Sequence, residues 1–185
     1  MLTVPAALGL MVLSDPIITL LFQRGLFDIE STNLTSLALL AYSTGLPAFV
    51  LIKILQPNFF ARSDTVTPIK IAAIAIVTNL ILNLILMQYF AHVGLALATS
   101  VSAWLSAILL LIILKKKEFY RLRKLILVKI LQISLAACMM AAGLLALINV
   151  TKHFFVDPNL TGATILLLLI FSGGLIYFVS LLLFN

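Results

Sequence analysis

The chain has 185 residues, of which 63% are hydrophobic and only 10% are charged, and its mean hydropathy is +1.25. A soluble domain is roughly half apolar and a quarter charged, so water is not the main solvent of this protein. The net charge of +6 does not indicate nucleic-acid binding, because the basic residues cluster between apolar runs and not on a folded polar face. A soluble enzyme and a nucleic-acid-binding protein are therefore excluded.

Six apolar segments are each long enough for a helix that crosses a hydrocarbon core about 30 Å thick. They cover roughly residues 2–22, 34–56, 69–90, 93–114, 125–149 and 162–184. None shows the period-two alternation of barrel strands, so the sequence predicts an all-α integral membrane protein with six transmembrane helices. Thr67 and Pro68 predict a local start for the third span, with Thr67 as the N-cap and Pro68 as the first helical residue.

Lysine and arginine are distributed unequally between the two sides that six spans define. Ten flank one side: Lys53, Arg62, Lys70, Lys115, Lys116, Lys117, Arg121, Arg123, Lys124 and Lys129. Arg24 and Lys152 flank the other. By the positive-inside rule the richer side is cytoplasmic, which places both termini in the cytoplasm. The basic run also favours the anionic inner leaflet, and attraction of a phosphorylated lipid is the functional alternative to this topological role.

Proline interrupts two of the spans. Asp15 precedes Pro16 inside the first span, where a charged side chain is costly. This pattern indicates either a bend that lines a polar cavity or a helix that ends at Pro16 with Asp15 near the interface. Gly45 and Pro47 in the second span indicate either a hinge of the kind used in alternating access or a static kink.

Asn79 and Asn83 lie four residues apart on one face of the third span, and Thr99 lies about one turn into the fourth. Two amide oxygens and a hydroxyl can ligate a monovalent cation, because hard cations prefer oxygen. The alternative is that these side chains only form hydrogen bonds between neighbouring helices.

Catalytic chemistry is not indicated. The two histidines, His92 and His153, lie in or beside loops without a carboxylate pair, a nucleophile elbow or a phosphate loop, and the single cysteine, Cys138, lies in an apolar run. Beyond the candidate cation, the sequence predicts neither an enzyme nor a cofactor.

Three stretches of the sequence together resemble the MurJ-type (MviN-like) lipid II flippases of bacteria. The first, residues 4–27, has a Pro-Ile-Ile core and ends with Arg24, Gly25 and Phe27. The third, residues 93–102, resembles the start of the following helix. The second, residues 42–71, carries the most matches: Tyr42, Gly45, Pro47, Lys53, Phe60, Ala61, Asp64, Thr65, Thr67, Pro68 and Lys70.

The resemblance implies the fold of the multidrug/oligosaccharidyl-lipid/polysaccharide flippase superfamily, in which fourteen helices form two lobes around a central cavity. There the lipid-linked peptidoglycan precursor, lipid II, is turned over by alternating access. The six helices would correspond to the ninth through fourteenth. Residues 1–114 would be four helices of the second lobe, residues 115–124 a basic cytoplasmic loop and residues 125–185 two C-terminal accessory helices.

In the family, the arginines that bind the pyrophosphate lie in the missing N-terminal helices, so an isolated chain is expected to be inactive. The expected partners are lipid II, membrane lipids and those missing helices, and the expected location is the bacterial cytoplasmic membrane. The alternatives are another polysaccharide-lipid flippase of the superfamily or a non-transporting remnant of a split or truncated gene.

The candidate substrate-path residues are Asp15, Arg24, Lys53, Arg62, Asp64 and Lys70, and the candidate hinge residues are Pro16, Gly45 and Pro47. Asn79, Asn83 and Thr99 fall where some relatives place a cation site. The resemblance implies an aspartate at the position of Asn83, however, and a neutral amide lowers the charge of that site.

Overall fold

A computed structural model describes residues 2–117, 124–151 and 160–184. Within these ranges the regular elements are five helices: α1 (Thr3–Phe22), α2 (Ile29–Phe60), α3 (Val66–Lys116), α4 (Lys124–Thr151) and α5 (Leu160–Phe184). Each contains a segment long and apolar enough to cross a membrane. The prediction of an all-helical membrane protein is confirmed.

α3 consists of two arms, residues 66–90 and 92–116, that meet at Ala91. The φ of 46° and ψ of −128° at Ala91 are not helical. In a straight helix Asn79 and Thr99 would be about 30 Å apart, but Asn79 Nδ2 lies 3.4 Å from Thr99 Oγ1. The second arm therefore folds back antiparallel to the first. The two arms supply the third and fourth predicted spans, which accounts for all six.

α2 is longer than the predicted span of residues 34–56, because capping at one end and packing at the other extend the helix. At its start, Asp28 Oδ1 accepts a hydrogen bond of 2.9 Å from the amide of Ser31, which satisfies one of the unpaired N–H groups of the first turn. At its other end the helix continues through Pro57, and Phe59 is fully buried.

The start of α3 corrects the predicted N-cap. The helix begins at Val66 and not at Pro68, and Thr65 occupies the N-cap position. Asp64 performs the capping instead, because its Oδ1 accepts from the amide of Thr67 at 3.1 Å and its Oδ2 accepts from the hydroxyl of Thr67 at 2.8 Å. Thr67 is thus the residue that is capped.

The chain forms two compact units, one made of Met1–Leu40 with Leu125–Asn185 and the other of Ala41–Lys124. In the first unit α1 packs with α4 and α5. Their shared core consists of Leu13, Ala136, Ala137, Met140, Leu144, Leu166, Leu169 and Tyr177. An apolar cavity of about 370 Å³ lies among the same three helices. The division of the chain into lobe helices and accessory helices concerns function and stays a prediction.

In the second unit, α2 packs along the second arm of α3, and the two run in the same direction. The groups that pack together, in order along both helices, are Gly45 with Ser100, then Ala48 with Ala103 and Ala107, then Leu55 and Phe59 with Leu110 and Leu114. We call this row of contacts the seam. Its side chains are small at one end and large at the other, so the backbones approach most closely at Gly45.

Candidate functional site

Asp64 links the loop between α2 and α3 to the far end of α3. Lys117 Nζ lies 2.5 Å from Asp64 Oδ2, and the same carboxylate caps α3 through Thr67. The hydrogen bond from Lys117, followed by those from Thr67, lowers the pKa of Asp64 from 3.8 to about 2. This carboxylate is therefore ionised at every physiological pH.

The Lys117–Asp64 pair gathers basic residues at the end of the second unit where α2 and the second arm of α3 both finish. Arg62 lies in the same loop as Asp64, Lys70 lies in the first turns of α3, and Lys115 and Lys116 directly precede Lys117. All of these basic side chains are exposed. Among the residues that the structure describes, Asp64 is the one carboxylate in this cluster, and the basic side chains form a cationic surface that attracts anionic groups.

Lys53, the remaining candidate in the second unit, is exposed on α2. It lies seven helical steps, or about 10 Å, before the helix ends at Phe60. It therefore lies deeper along the helix than the basic cluster. Arg62, Asp64 and Lys70 are brought to one end of the unit, and Lys53 is not.

The two candidates in the first unit occupy different settings on α1. The helix continues through Pro16 to Phe22, so the alternative in which it ends at Pro16 is wrong. Asp15 is exposed on a helix that is otherwise apolar, and a carboxylate at such a position needs a polar environment. Arg24 Nη2 donates to the carbonyl of Leu21 at 3.1 Å, which satisfies a carbonyl of the last helical turn.

Gly45 lies buried where α2 meets the second arm of α3. A Cβ at this position would lie 2.7 Å from Ser100 Oγ and 3.0 Å from Ser100 Cα, so only glycine permits this approach. α2 continues through Pro47, whose missing N–H leaves one carbonyl of the preceding turn without its helical donor. The structure explains Gly45 by close packing, and its role as a hinge stays a prediction.

Sequence reasoning missed two side chains of the second arm of α3 that bind the backbone of α2. Ser100 Oγ donates to the carbonyl of Ala41 at 2.7 Å, and Trp104 Nε1 donates to the carbonyl of Thr44 at 2.9 Å. The available signal was a hydroxyl and an indole N–H four residues apart, which places both donors on one helix face. The carbonyls they would reach could not be identified from sequence.

The three residues of the candidate cation site come together as a chain of hydrogen bonds between the arms of α3. Asn83 Nδ2 donates to Asn79 Oδ1 at 2.9 Å. Asn79 Nδ2 in turn donates to Ser102 Oγ at 3.2 Å and to Thr99 Oγ1 at 3.4 Å. Asn83 Oδ1 is buried without a hydrogen-bond partner. Asn79 therefore presents an amide nitrogen to the two hydroxyls.

This donor set fits a cation poorly. The network contains two neutral amides and two hydroxyls and no carboxylate, and the oxygen of Asn79 is already occupied by Asn83. Among the described residues, no group of three or more histidines, cysteines or carboxylates is placed to hold a metal ion. The geometry accounts for these residues as a link between the arms, and a cation at this point stays a prediction.

The comparisons with known proteins agree with one another. The profile of the family "Lipid II flippase MurJ" matches residues 1–172. A protein of Vibrio cholerae named "Probable lipid II flippase MurJ" is 42% identical over 144 residues, which are 78% of this chain and 27% of that protein. A Rickettsia prowazekii protein with the same name is 38% identical over 160 residues, covering 85% of this chain and 30% of that protein.

A solved structure agrees with the sequence relatives. The structure of "Lipid II flippase MurJ, inward closed conformation" superimposes with a TM-score of 0.73 and 28% identity, covering 96% of this chain and 35% of that one. The chain thus spans about a third or less of the length of these relatives. Because the profile match covers most of the chain, this chain belongs to the lipid II flippase MurJ family of multi-pass membrane proteins.

Proposed function

We propose that this chain forms part of a lipid II flippase, which moves the lipid-linked peptidoglycan precursor across the bacterial cytoplasmic membrane by alternating access. The observation that carries the proposal is the family match over residues 1–172. Transport of this kind depends on conformational change and not on covalent chemistry, in keeping with a sequence that offers no catalytic constellation.

The chain supplies scaffold and charge to this transporter but needs the remainder of it. It spans 27% of the Vibrio cholerae relative, and Asp15 is exposed on an apolar helix. A carboxylate in that position requires a polar neighbour or water, which an adjoining lobe around a hydrated cavity provides. The isolated chain is therefore proposed to be inactive.

The basic cluster orients the chain in the membrane. Arg62, Lys70 and Lys115–Lys117 lie at one end of the second unit, and we infer from the positive-inside rule that this end faces the cytoplasm. Both termini are proposed to lie on the same side. The anionic inner leaflet stabilises this orientation by about 1 kcal/mol for each basic residue near its surface.

A chimera tests the function directly. The matching segment of the Vibrio cholerae relative is replaced by the corresponding residues of this chain, and the product is expressed in a strain depleted of its own lipid II flippase. We expect the chimera to restore growth and to reverse the accumulation of lipid II in the inner leaflet, while the 185-residue chain alone restores neither.

The unmodified relative is the positive control, and membrane levels of all proteins are compared by immunoblotting. A chimera that reaches the control level in the membrane yet fails to restore growth contradicts the proposal. Rescue of a strain that lacks another polysaccharide-lipid flippase would then favour the alternative substrate. Absence of rescue in both strains would favour a non-transporting remnant.

A further inference from the structure

The small-residue end of the seam lies where α2 was predicted to bend. Gly45 contacts Ser100, and the carbonyls of Ala41 and Thr44 accept hydrogen bonds from Ser100 and Trp104. Along the helix these two carbonyls flank that of Ser43, which is the one that Pro47 leaves without its helical donor. The part of α2 that proline weakens is thus hydrogen-bonded to the second arm of α3.

The carbonyl of Ala41 is the centre of this arrangement. It accepts from Ser100 Oγ at 2.7 Å and also from Thr44 Oγ1 at 2.7 Å. Ser100 is 2% exposed, so its hydroxyl has no access to water if it leaves Ala41. A buried hydroxyl without a partner is costly, and in lipid no water replaces the lost bond. Opening α2 at this point would therefore be opposed by Ser100.

Packing of small side chains also holds α2 against the second arm of α3. Ala48, Ala103 and Ala107 form a buried cluster directly below Gly45, and the two alanines at 48 and 107 are completely buried. Four levels of contact therefore hold α2 and the loop after it against the second arm of α3: the two hydrogen bonds, the alanine cluster, the packing of Leu55 and Phe59 on Leu110 and Leu114 and, at the far end, the pair of Lys117 with Asp64.

We propose that Ser100 and Trp104 are positioning residues that fasten α2 to the second arm of α3, so that residues 41–60 and 92–116 move as one rigid body during transport. In this arrangement Gly45 and Pro47 form a braced joint and not a hinge. Proline removes one helical hydrogen bond, and the two side-chain donors stabilise the weakened turn from outside. The transport aspect rests on the proposed function, whereas the brace itself does not.

Amide hydrogen exchange of the full 185-residue chain in nanodiscs tests the brace without any transport. Exchange reports local opening of helical hydrogen bonds. We expect Ser100→Ala to accelerate exchange of residues 41–48 several-fold and to leave α4 unchanged. Ser106→Ala is the matched control, because Ser106 is a buried serine on the same arm, and it should leave residues 41–48 protected. Equal effects of the two substitutions overturn the proposal.

A reversible covalent bond distinguishes a brace from a hinge in the transporting chimera. In a Cys138→Ser background free of other cysteines, Gly45→Cys and Ser100→Cys place two thiols together. The Cβ at position 45 would lie 3.1 Å from Ser100 Cβ, below the roughly 3.5–4.5 Å of a disulfide, so the two helices must separate slightly. Both redox states of the double variant carry this added Cβ, and only the disulfide differs between them.

A rigid joint predicts that the oxidised double variant transports at least as well as the reduced one, because the disulfide replaces the lost hydrogen bond. A hinge predicts loss of transport on oxidation and recovery on reduction, which would overturn the proposal. If even the unmodified chimera fails to transport, the proposed function fails, and the hydrogen-exchange result still decides whether Ser100 braces α2.

Discussion

Lys117 and Asp64 are joined across 53 positions of sequence by a bond between Nζ and Oδ2, which closes the large-residue end of the seam. Asp64 follows α2, and Lys117 follows the second arm of α3. One ion pair therefore holds together the ends of two helices that run in the same direction, while the same carboxylate caps the start of α3.

Replacing Asp64 by Asn should lower the melting temperature of the chain, and the size of this decrease should depend on pH. The pKa of Asp64 is lowered from 3.8 to about 2, so its carboxylate contributes to stability above about pH 4 and loses this contribution as the pH falls towards 2. The melting-temperature difference between wild type and Asp64→Asn should stay constant from about pH 5 to pH 8 and shrink at lower pH. Glu30→Gln, on an exposed glutamate, is the control.

Three glycine-to-alanine substitutions should differ strongly in cost. A Cβ at Gly94 would lie 2.4 Å from the carbonyl oxygen of Leu86, and a Cβ at Gly45 would meet Ser100 Cα at 3.0 Å, whereas nothing lies within 4 Å of a Cβ at Gly174. Backbone atoms cannot move aside as side chains do. We expect Gly94→Ala and Gly45→Ala each to cost about 1–3 kcal/mol or more.

Gly174→Ala should leave stability unchanged or raise it by up to about 1 kcal/mol, because the added Cβ meets nothing and alanine is the better helix former. The stability of all three variants is measured by heating the detergent-solubilised chain and using size-exclusion chromatography to determine the fraction that stays folded. A Gly94 variant as stable as the Gly174 variant would contradict the tight turn between the arms of α3.

Sodium should stabilise the wild-type chain no more than choline does. Asn79, Asn83 and Thr99 are neutral, and Asn79 Oδ1 is occupied by Asn83. The oxygen of Asn83, which has no hydrogen-bond partner, is a single neutral ligand and too little to hold a cation. Asn83→Asp adds a carboxylate to these oxygens, and the melting temperature of that variant should become sodium-dependent. A sodium-dependent shift in the wild type would instead support the predicted cation site.

The inferred orientation predicts labelling from opposite sides of the membrane. In a Cys138→Ser background, Leu26→Cys lies in the loop after α1 and Ala61→Cys in the loop after α2, and both positions are exposed. A membrane-impermeant maleimide added to intact spheroplasts should label position 26 and spare position 61. Inverted vesicles should reverse the pattern. The same pattern in both preparations would contradict the proposed topology.

Sequence was sufficient for those aspects of the fold that follow from hydropathy. Long apolar runs have few solutions in a bilayer, and residues 2–22 were predicted within one residue of α1. Hydropathy could not locate the ends of α2, because Asp28 and Phe59 extend the helix through capping and burial. The Thr-Pro pattern assigned the cap of α3 to Thr67, whereas the carboxylate of Asp64, in the preceding loop, provides it.

The candidate residues show where pattern reasoning ends. The spacing of Asn79 and Asn83 correctly placed them on one face, but the direction of their hydrogen bonds depends on Ser102 across the turn. Gly45 was singled out with Pro47 as a hinge or a static kink, whereas the structure shows it in close contact with Ser100. Such partners are determined by tertiary packing, which a single sequence does not display.

The turn at Ala91 has a consequence for biogenesis. Because the arms of α3 meet at a single non-helical residue and lie against each other from Asn79 to Thr99, neither arm can adopt its orientation independently, and the pair should leave the translocon as one helical hairpin. Lys70 and Lys115–Lys117 lie at the two open ends of that hairpin. The basic residues that keep the end of one arm in the cytoplasm thus keep the end of the other arm there too. An error in insertion would have to invert the hairpin as a whole.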